Sequence, residues 1–197
     1  SDAFILKLTT GGLLQWVKQF GASAANVNII GITLDGSGNI YSTGQYWNSS
    51  LDCDPGSGTA YLGNVGGGDI FISKLDANGD YVWAKSFGGS NNEYGLSIGV
   101  DANGNVFTTG YFEGTVDFDP GSGTENLTSV GSRDIYISKL DSNGDFDWVR
   151  AMGGADNDQG AELKLDAMGN VYSIGYFEGT VDFDAGTGTN TLTAVGD

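Results

Sequence analysis

The chain has 197 residues, of which 39% are hydrophobic and 12% aromatic, and this apolar content is enough for one sizeable core and excludes a disordered chain. Its 25 acidic and 8 basic residues give a formal net charge of −17, a surface that repels phosphates and anionic lipid, so we expect neither nucleic acid partners nor membrane insertion. Histidine is absent, which excludes histidine acid–base catalysis, Ser-His-Asp triads and the commonest zinc ligand, and we predict that the chain is not an enzyme.

The sequence repeats itself three times, over residues 1–67, 68–132 and 133–197. The phrase DIFISKLD at residues 69–76 returns as DIYISKLD at residues 134–141, and a looser copy opens the chain. A fixed period predicts a repeat architecture, in which each unit buries its apolar face against the next one. We expect Trp16, Trp83 and Trp148, which lie 67 and 65 residues apart, to pack between these units.

The apolar residues of the second repeat alternate with polar ones, and this period of two predicts strands. The predicted strands of this repeat cover residues 69–76, 81–87, 96–100, 106–112, 116–118 and 126–130. No stretch carries the apolar stripe of an amphipathic helix. The sequence therefore predicts an all-β chain.

The single cysteine, Cys53, takes the place of Phe118 and Phe183 of the other repeats, which predicts a buried apolar filler.

The turns between the strands begin with Asp and place Gly fourth, as in Asp76-Ala77-Asn78-Gly79 and Asp101-Ala102-Asn103-Gly104. This order suits a type I turn that is followed by a left-handed glycine in a bulge. We expect the Asp side chains to accept hydrogen bonds from their own backbone, and we assign them no other role.

The string GLSIGVDANGNVF at residues 95–107 resembles the blade phrase of β-propellers of the NHL-like kind. The string at residues 69–76, with Trp83 and the Gly88-Gly89 pair, resembles the companion phrase of the bacterial, SBBP-like β-propeller repeat family. The resemblance covers all three repeats, of which the first is diverged. It implies four-stranded antiparallel blades of an extracellular or cell-surface bacterial protein, and it implies no catalytic residue.

By analogy with such blades, residues 95–101 form strand one, 105–112 strand two, 134–141 strand three and 145–152 strand four, and residues 115–130 form a hairpin inserted between strands two and three. The chain then begins in the middle of a blade. Three blades cannot close a ring, because propellers have about four to eight. The expected partners are further blades, from a longer chain or from a homo-oligomer. The chain also lacks an initiating methionine and a signal-peptide pattern, so we expect a mature or excised segment.

The inserted hairpins carry paired carboxylates in a D-x-D-x-G-x-G spacing. The six side chains are Asp52, Asp54, Asp117, Asp119, Asp182 and Asp184. Such oxygen-rich loops are typical of Ca²⁺ sites, and Ca²⁺ is the one cofactor that the sequence suggests. The alternative is turn chemistry alone, because Asp54-Pro55-Gly56-Ser57 has the residues of a type II turn.

A second candidate site lies among the longer loops, opposite the rim of the Asp-led turns. Its residues are Tyr111 and Glu113, repeated as Tyr176 and Glu178. An aromatic ring that stacks on a sugar beside an acid that accepts hydroxyl bonds would make a lectin-like pocket, whereas the alternative for these residues is packing at a strand end. The sequence thus favours a non-enzymatic scaffold or adhesive surface of a secreted or cell-surface bacterial protein, with a carbohydrate-binding propeller as the second reading.

Overall fold

The computed structural model describes residues 1–21 and 24–196, and all regular structure in them is β-strand. The prediction of an all-β chain is confirmed, and none of the described residues forms a helix that could cross a membrane. The strands are β1 (Ala3–Leu8), β2 (Leu14–Phe20), β3 (Asn26–Leu34), β4 (Ile40–Trp47), β5 (Leu51–Asp52), β6 (Tyr61–Leu62), β7 (Gly68–Leu75), β8 (Tyr81–Gly89), β9 (Tyr94–Val100), β10 (Val106–Phe112), β11 (Thr115–Asp117), β12 (Asn126–Thr128), β13 (Asp134–Leu140), β14 (Phe146–Met152), β15 (Gln159–Leu165), β16 (Val171–Tyr176), β17 (Thr180–Asp182) and β18 (Thr191–Thr193).

The named strands pair in antiparallel order throughout. Strands β9, β10, β13 and β14 form one four-stranded sheet, which has the order predicted for strands one to four. Strands β3, β4, β7 and β8 repeat this order in a second sheet. The pairs β1–β2 and β15–β16 are two-stranded sheets. Each four-stranded unit thus takes two strands from one sequence repeat and two from the next.

The inserted hairpin of strands β11 and β12 does not extend the sheet from which it emerges. It pairs with β8 of the preceding sheet, where Val116 lies opposite Gly89 and Asp117 opposite Gly88. The β17–β18 hairpin makes the same connection through a bridge between Asp182 and Gly153 at the end of β14. Each of these two hairpins therefore ties one sheet to its predecessor by backbone hydrogen bonds.

The core continues from one sheet to the next. Phe118, which follows β11, is fully buried, and its ring centroid lies 5.4 Å from Phe87, 5.4 Å from Phe112 and 5.1 Å from Tyr136. Phe87 belongs to one sheet and the other two rings to the next.

Cys53 is also fully buried at the equivalent position, so the prediction of an apolar filler is confirmed, and burial raises the pKa of its thiol to about 12.

The Asp-led turns have the geometry that the sequence predicts. Gly79 and Gly104 have φ angles of 82° and 83°, the left-handed region that favours glycine. Asp76 Oδ1 accepts backbone N–H bonds from Asn78 at 2.8 Å and from Asp80 at 2.9 Å. These bonds, led by that from Asp80, hold the pKa of the exposed Asp76 carboxyl below its usual value.

Trp83, one of the repeated tryptophans, connects two neighbouring sheets. Its ring packs edge-on against Tyr41 of its own sheet at a centroid distance of 6.3 Å. Its indole Nε1 donates a hydrogen bond of 3.3 Å to the carbonyl of Ser142, in a turn of the next sheet. The predicted packing between units is therefore confirmed for Trp83.

Candidate functional site

The strand connections divide the molecule into two rims. The Asp-led turns join strands β3 to β4, β7 to β8, β9 to β10, β13 to β14 and β15 to β16 at one rim. The opposite rim carries the inserted hairpins and the loops that lead from one sheet to the next, including residues 90–93 and 153–158. A cavity of about 620 Å³ opens at this loop rim, between the segments that precede β13 and follow β10. Its polar side chains are Asn91, Glu113, Ser129, Ser132, Arg133 and Asn157.

An ion pair forms one wall of this cavity, which we call the Glu113 cavity. Arg133 Nε donates to Glu113 Oε1 at 3.0 Å, and both side chains are partly exposed. The Arg133 guanidinium also lies over the ring of Tyr111, 4.5 Å from its centroid. Because the two opposite charges neutralise each other, the cavity offers a ligand polar donors and acceptors with little net charge.

A second polar cavity, of about 460 Å³, lies one repeat earlier at the same rim. Its larger lining side chains are Gln45, Trp47, Asn48, Asn64, Asn92 and Tyr94. The strand registers make Trp47 the counterpart of Glu113. Tyr46 lies opposite Asp69 in one sheet, as Phe112 lies opposite Asp134 in the next. The residues that follow, Trp47 and Glu113, therefore occupy equivalent positions. This Trp47 cavity therefore combines a half-buried indole with four side-chain amides.

The structure separates the four predicted ligand residues. Glu113 lines a cavity, but Tyr111 is only 6% exposed and stacks on Tyr94 at a centroid distance of 4.9 Å. Of the two alternatives for Tyr111, its burial supports packing at a strand end. Tyr176 and Glu178 are exposed; the Tyr176 hydroxyl donates to Gln159 Oε1 at 3.5 Å, and Glu178 Oε2 accepts from Asn157 Nδ2 at 3.4 Å.

The six Asp residues of the inserted hairpins all accept backbone hydrogen bonds. Asp117 Oδ1 accepts from the N–H groups of Asp119 at 3.0 Å and Glu125 at 2.8 Å, and Asp119 Oδ1 accepts from Gly121 at 2.7 Å. The same pattern recurs for Asp52 with Asp54 and for Asp182 with Asp184. Within residues 1–21 and 24–196, no three His, Cys, Asp or Glu side chains gather where they could hold a metal ion. Calcium binding at these pairs stays a prediction.

Buried carboxyl groups beneath the loop rim were not foreseen from the sequence. Glu93 is fully buried; its Oε2 accepts from the N–H of Gly89 at 3.1 Å, while its Oε1 has no hydrogen-bond partner within residues 1–21 and 24–196. Burial, with smaller contributions from the charges of Asp69 and Glu113, raises the pKa of Glu93 to about 8. Asp69 is buried as well, and desolvation raises the pKa of its carboxyl. The signal that could have located them is the recurrence of an acid at Asp158, 65 residues after Glu93.

Antiparallel four-stranded units that recur along the chain, each tied to the next through loops and shared core, are what a propeller-type repeat produces. Residues 15–47 match the family model described as a β-propeller repeat, so the predicted resemblance to that family is confirmed there. The chain is 27% identical over 122 residues to the regulatory protein FlaEY of Caulobacter vibrioides, which covers 62% of this chain and 13% of that protein. It is 32% identical over 110 residues to the uncharacterized WD repeat-containing protein L264 of Acanthamoeba polyphaga mimivirus, which covers 49% of this chain and 8% of that protein. The chain thus spans a small part of the length of both relatives.

Proposed function

We propose that this chain is a non-enzymatic β-propeller module whose loop rim serves as a binding surface. In this proposal the two four-stranded units are complete blades, and the pairs β1–β2 and β15–β16 are half-blades. The observation that carries the proposal is the recurrence of a polar cavity at the loop rim, lined by Asn92 in one repeat and by Asn157 in the next. A rigid scaffold with equivalent polar cavities is suited to binding a ligand at several points at once.

The positions of the titratable groups support binding rather than catalysis. Glu93 has the raised pKa that is typical of a general acid, but its side chain is fully buried and a substrate cannot reach it. Glu113 is accessible, but its carboxylate is engaged by Arg133 at 3.0 Å. The sequence contains no histidine that could take either role.

We place the module outside the cell, as part of a secreted or surface-attached bacterial protein. The support is the resemblance of its repeats to bacterial surface propellers, together with the net charge of −17, which keeps such a domain soluble. Its scaffold role would be to hold the loop rim at a fixed spacing, and its expected partners are further blades and a protein or glycan ligand.

The Trp47 cavity favours carbohydrate as the ligand. Indole faces stack on the apolar face of sugar rings, and side-chain amides both donate to and accept from hydroxyl groups. Trp47 is half-buried, so part of its surface is available, and Gln45, Asn48 and Asn92 surround the same cavity. The Glu113 cavity offers an acid and a guanidinium in the equivalent place, which would give the two cavities graded preferences for one class of ligand.

A glycan array tests this proposal. The intact chain should bind a set of glycans, and Trp47→Ala should weaken that binding at least about tenfold, because stacking and desolvation of the indole would be lost. Glu113→Ala combined with Glu178→Ala should likewise weaken glycan binding if the carboxylates accept hydrogen bonds from sugar hydroxyl groups. Glu125→Ala is the matched control, since this exposed acid lines neither cavity. An array without any bound glycan would contradict carbohydrate binding and leave the scaffold role.

A further inference from the structure

The two polar cavities of the loop rim share one wall. Asn91 lines the Glu113 cavity, and the next residue, Asn92, lines the Trp47 cavity. Consecutive Cα atoms are about 3.8 Å apart, so the two cavities meet at the loop of residues 90–93. A ligand that fills one cavity therefore lies next to the other one.

Backbone hydrogen bonds hold this shared wall in place. The N–H of Gly68 donates to the carbonyl of Asn91 at 3.2 Å, and the N–H of Glu93 donates to the carbonyl of Gly68 at 2.7 Å. On the side of the next sheet, Asn91 Nδ2 donates to the carbonyl of Glu113 at 3.5 Å. The loop is thus tied to both neighbouring sheets, which fixes the spacing of the two cavities.

A stack of planar side chains also connects the two cavities. Tyr94 lines the Trp47 cavity and stacks on Tyr111 at a centroid distance of 4.9 Å. Arg133 lines the Glu113 cavity, and its guanidinium lies 4.5 Å from the ring centroid of the same Tyr111. Because Tyr111 is buried, the two cavities rest on a common part of the packed interior.

The charges at the loop rim select the kind of glycan that fits there. Seven of the eight basic residues lie in strands, and Arg133 is the one that lies in a loop, where Glu113 already engages it. Asp156 and Glu178 are exposed acids of the same rim. A polyanionic glycan would be repelled by this surface, so the charge favours a neutral one.

We propose that the two cavities bind neighbouring stretches of one linear, neutral glycan, which crosses the loop of residues 90–93. This inference rests on the proposed function, because it names the form of the ligand that the loop rim binds. At the crossing, Ser90, Asn91 and Asn92 are exposed and uncharged, and their side chains can exchange hydrogen bonds with sugar hydroxyl groups. The cavity volumes of about 460 and 620 Å³ are those of small-molecule sites, so each cavity holds a short stretch of such a chain.

The backbone of Asn48 supports the same assignment independently. Its φ angle is 76°, and in the part of the chain that the structure describes it is the one residue other than glycine with a positive φ. The counterpart in the next repeat is Gly114, with a φ angle of 69°. A side chain in this conformation is less favourable than glycine, and such strain clusters at functional sites. The side chain that is retained lines the Trp47 cavity, where its amide is available to a sugar hydroxyl.

Two adjacent cavities bind a long glycan chain more tightly than a short one. Once a chain occupies one cavity, its next units are held beside the other cavity at a high effective concentration. An oligosaccharide long enough for both cavities should therefore bind at least about tenfold more tightly than one that fills a single cavity. The number bound per protein chain should fall from two to one.

Isothermal titration calorimetry with neutral oligosaccharides tests the proposal. The probes are β-linked oligomers of glucose, mannose, xylose and N-acetylglucosamine, each as a disaccharide and as an octasaccharide. In the series that binds, the octasaccharide should show the tenfold gain in affinity and a stoichiometry of one. An octasaccharide of uronic acid units should bind more weakly than the neutral one, because the exposed acids of the rim repel it.

Ser132→Trp is the variant that separates one spanning ligand from two independent ligands. Ser132 is exposed and lines the Glu113 cavity, so an indole there fills that cavity and leaves Trp47 in place. The octasaccharide should then bind this variant only as tightly as the disaccharide binds the parent chain. Ser37→Trp is the matched control, because Ser37 is exposed in the turn between β3 and β4, at the opposite rim. It should keep the parent's dependence on glycan length.

The outcomes separate this inference from the proposed function. Two octasaccharides bound per chain, with the affinity of the disaccharide, would overturn the spanning ligand and leave glycan binding by separate cavities intact. A gain with length that survives in Ser132→Trp would overturn it as well, since the octasaccharide would then not need the Glu113 cavity. Tighter binding of the uronic acid octasaccharide would overturn the neutral class of ligand. If neither the array nor calorimetry detects a bound glycan, carbohydrate binding itself is contradicted and this inference falls with it.

Discussion

Glu93 is buried at a cost in free energy, because burial disfavours its charged form. A carboxyl group that is fully buried, with one oxygen that has no hydrogen-bond partner among the described residues, favours its neutral form, which is why burial raises its pKa from the ordinary value of 4.5 to about 8. The folded chain therefore holds a proton between these two pH values that the unfolded chain has released. Stability that is fully present below pH 4.5 is lost as the pH rises through about 8.

We expect the free energy of unfolding to fall between pH 5 and pH 9 by roughly 2–4 kcal/mol, since each pKa unit is worth about 1.4 kcal/mol. Glu93→Gln should remove most of this fall, and the variant should be more stable than the parent at pH 9 and nearly equal to it at pH 5. Denaturant titrations at several pH values measure it. Glu125→Gln, at an exposed position, is the control and should keep the parent's pH dependence. A flat profile for the parent chain would contradict the prediction.

The paired Asp residues of the hairpins allow turn chemistry to be separated from metal binding. Asn keeps the side-chain oxygen that accepts the backbone bonds of Asp117 but removes its charge, whereas Ala removes both. If these residues serve only as turn acceptors, Asp117→Asn should be nearly neutral and Asp117→Ala should cost about 1 kcal/mol. Thermal unfolding of the parent chain, Asp117→Asn and Asp117→Ala measures the two differences.

The same series tests calcium. If the pairs hold Ca²⁺, millimolar calcium raises the unfolding temperature of the parent chain by mass action, and Asp117→Asn with Asp119→Asn abolishes that rise. An equal response of parent and double variant would show that any calcium effect arises elsewhere.

At the scale of elements, the inserted hairpins hold neighbouring sheets together. Phe118 follows β11 and contacts Phe87 of one sheet together with Phe112 and Tyr136 of the next. Phe118→Ala should lower the free energy of unfolding by about 3–5 kcal/mol, because the cavity would open between two sheets. Phe183 offers a matched control at the same place in the last hairpin. It is half-buried, and its ring packs edge-on against Phe177 at a centroid distance of 5.3 Å, so Phe183→Ala should lower the free energy of unfolding by less than half as much. If the two substitutions lower the free energy of unfolding equally, the β11–β12 hairpin does not contribute more to stability than the β17–β18 hairpin.

The strands, their turns and their order within a sheet were predictable because they depend on local patterns. The period of two, the Asp-led turns with a left-handed glycine at Gly79, and the repeated blade phrase each act over a few residues. Gly44, Gly110 and Gly175 also recur, 66 and 65 residues apart, and the reason is steric: a Cβ at Gly110 would lie 1.8 Å from the carbonyl oxygen of Tyr94, so no other residue fits.

The partner of each hairpin and the cavities could not be predicted in the same way. The pairing of β11 with β8 depends on how consecutive sheets sit, which no single repeat encodes. The Glu113 cavity joins Glu113 to Arg133, which lies 20 residues further along and is present in one repeat only, so the period gave no signal for it. Tyr111 recurs in the third repeat as Tyr176, and this recurrence suggested a ligand site. A residue that packs at a junction recurs just as a residue that binds a ligand does, so the period alone cannot separate the two roles.

At the scale of the whole molecule, the net charge of −17 opposes the folded state, because the 25 acidic side chains are held closer together in a compact chain than in an unfolded one. Salt screens this repulsion, since the Debye length falls from about 30 Å at 0.01 M to about 8 Å at 0.15 M ionic strength. The unfolding temperature of the chain should therefore rise over this range, and thermal unfolding at several sodium chloride concentrations measures it. An unfolding temperature that falls with added salt would mean that ion pairs such as Lys18–Asp80, whose charged atoms lie 3.1 Å apart, outweigh the repulsion.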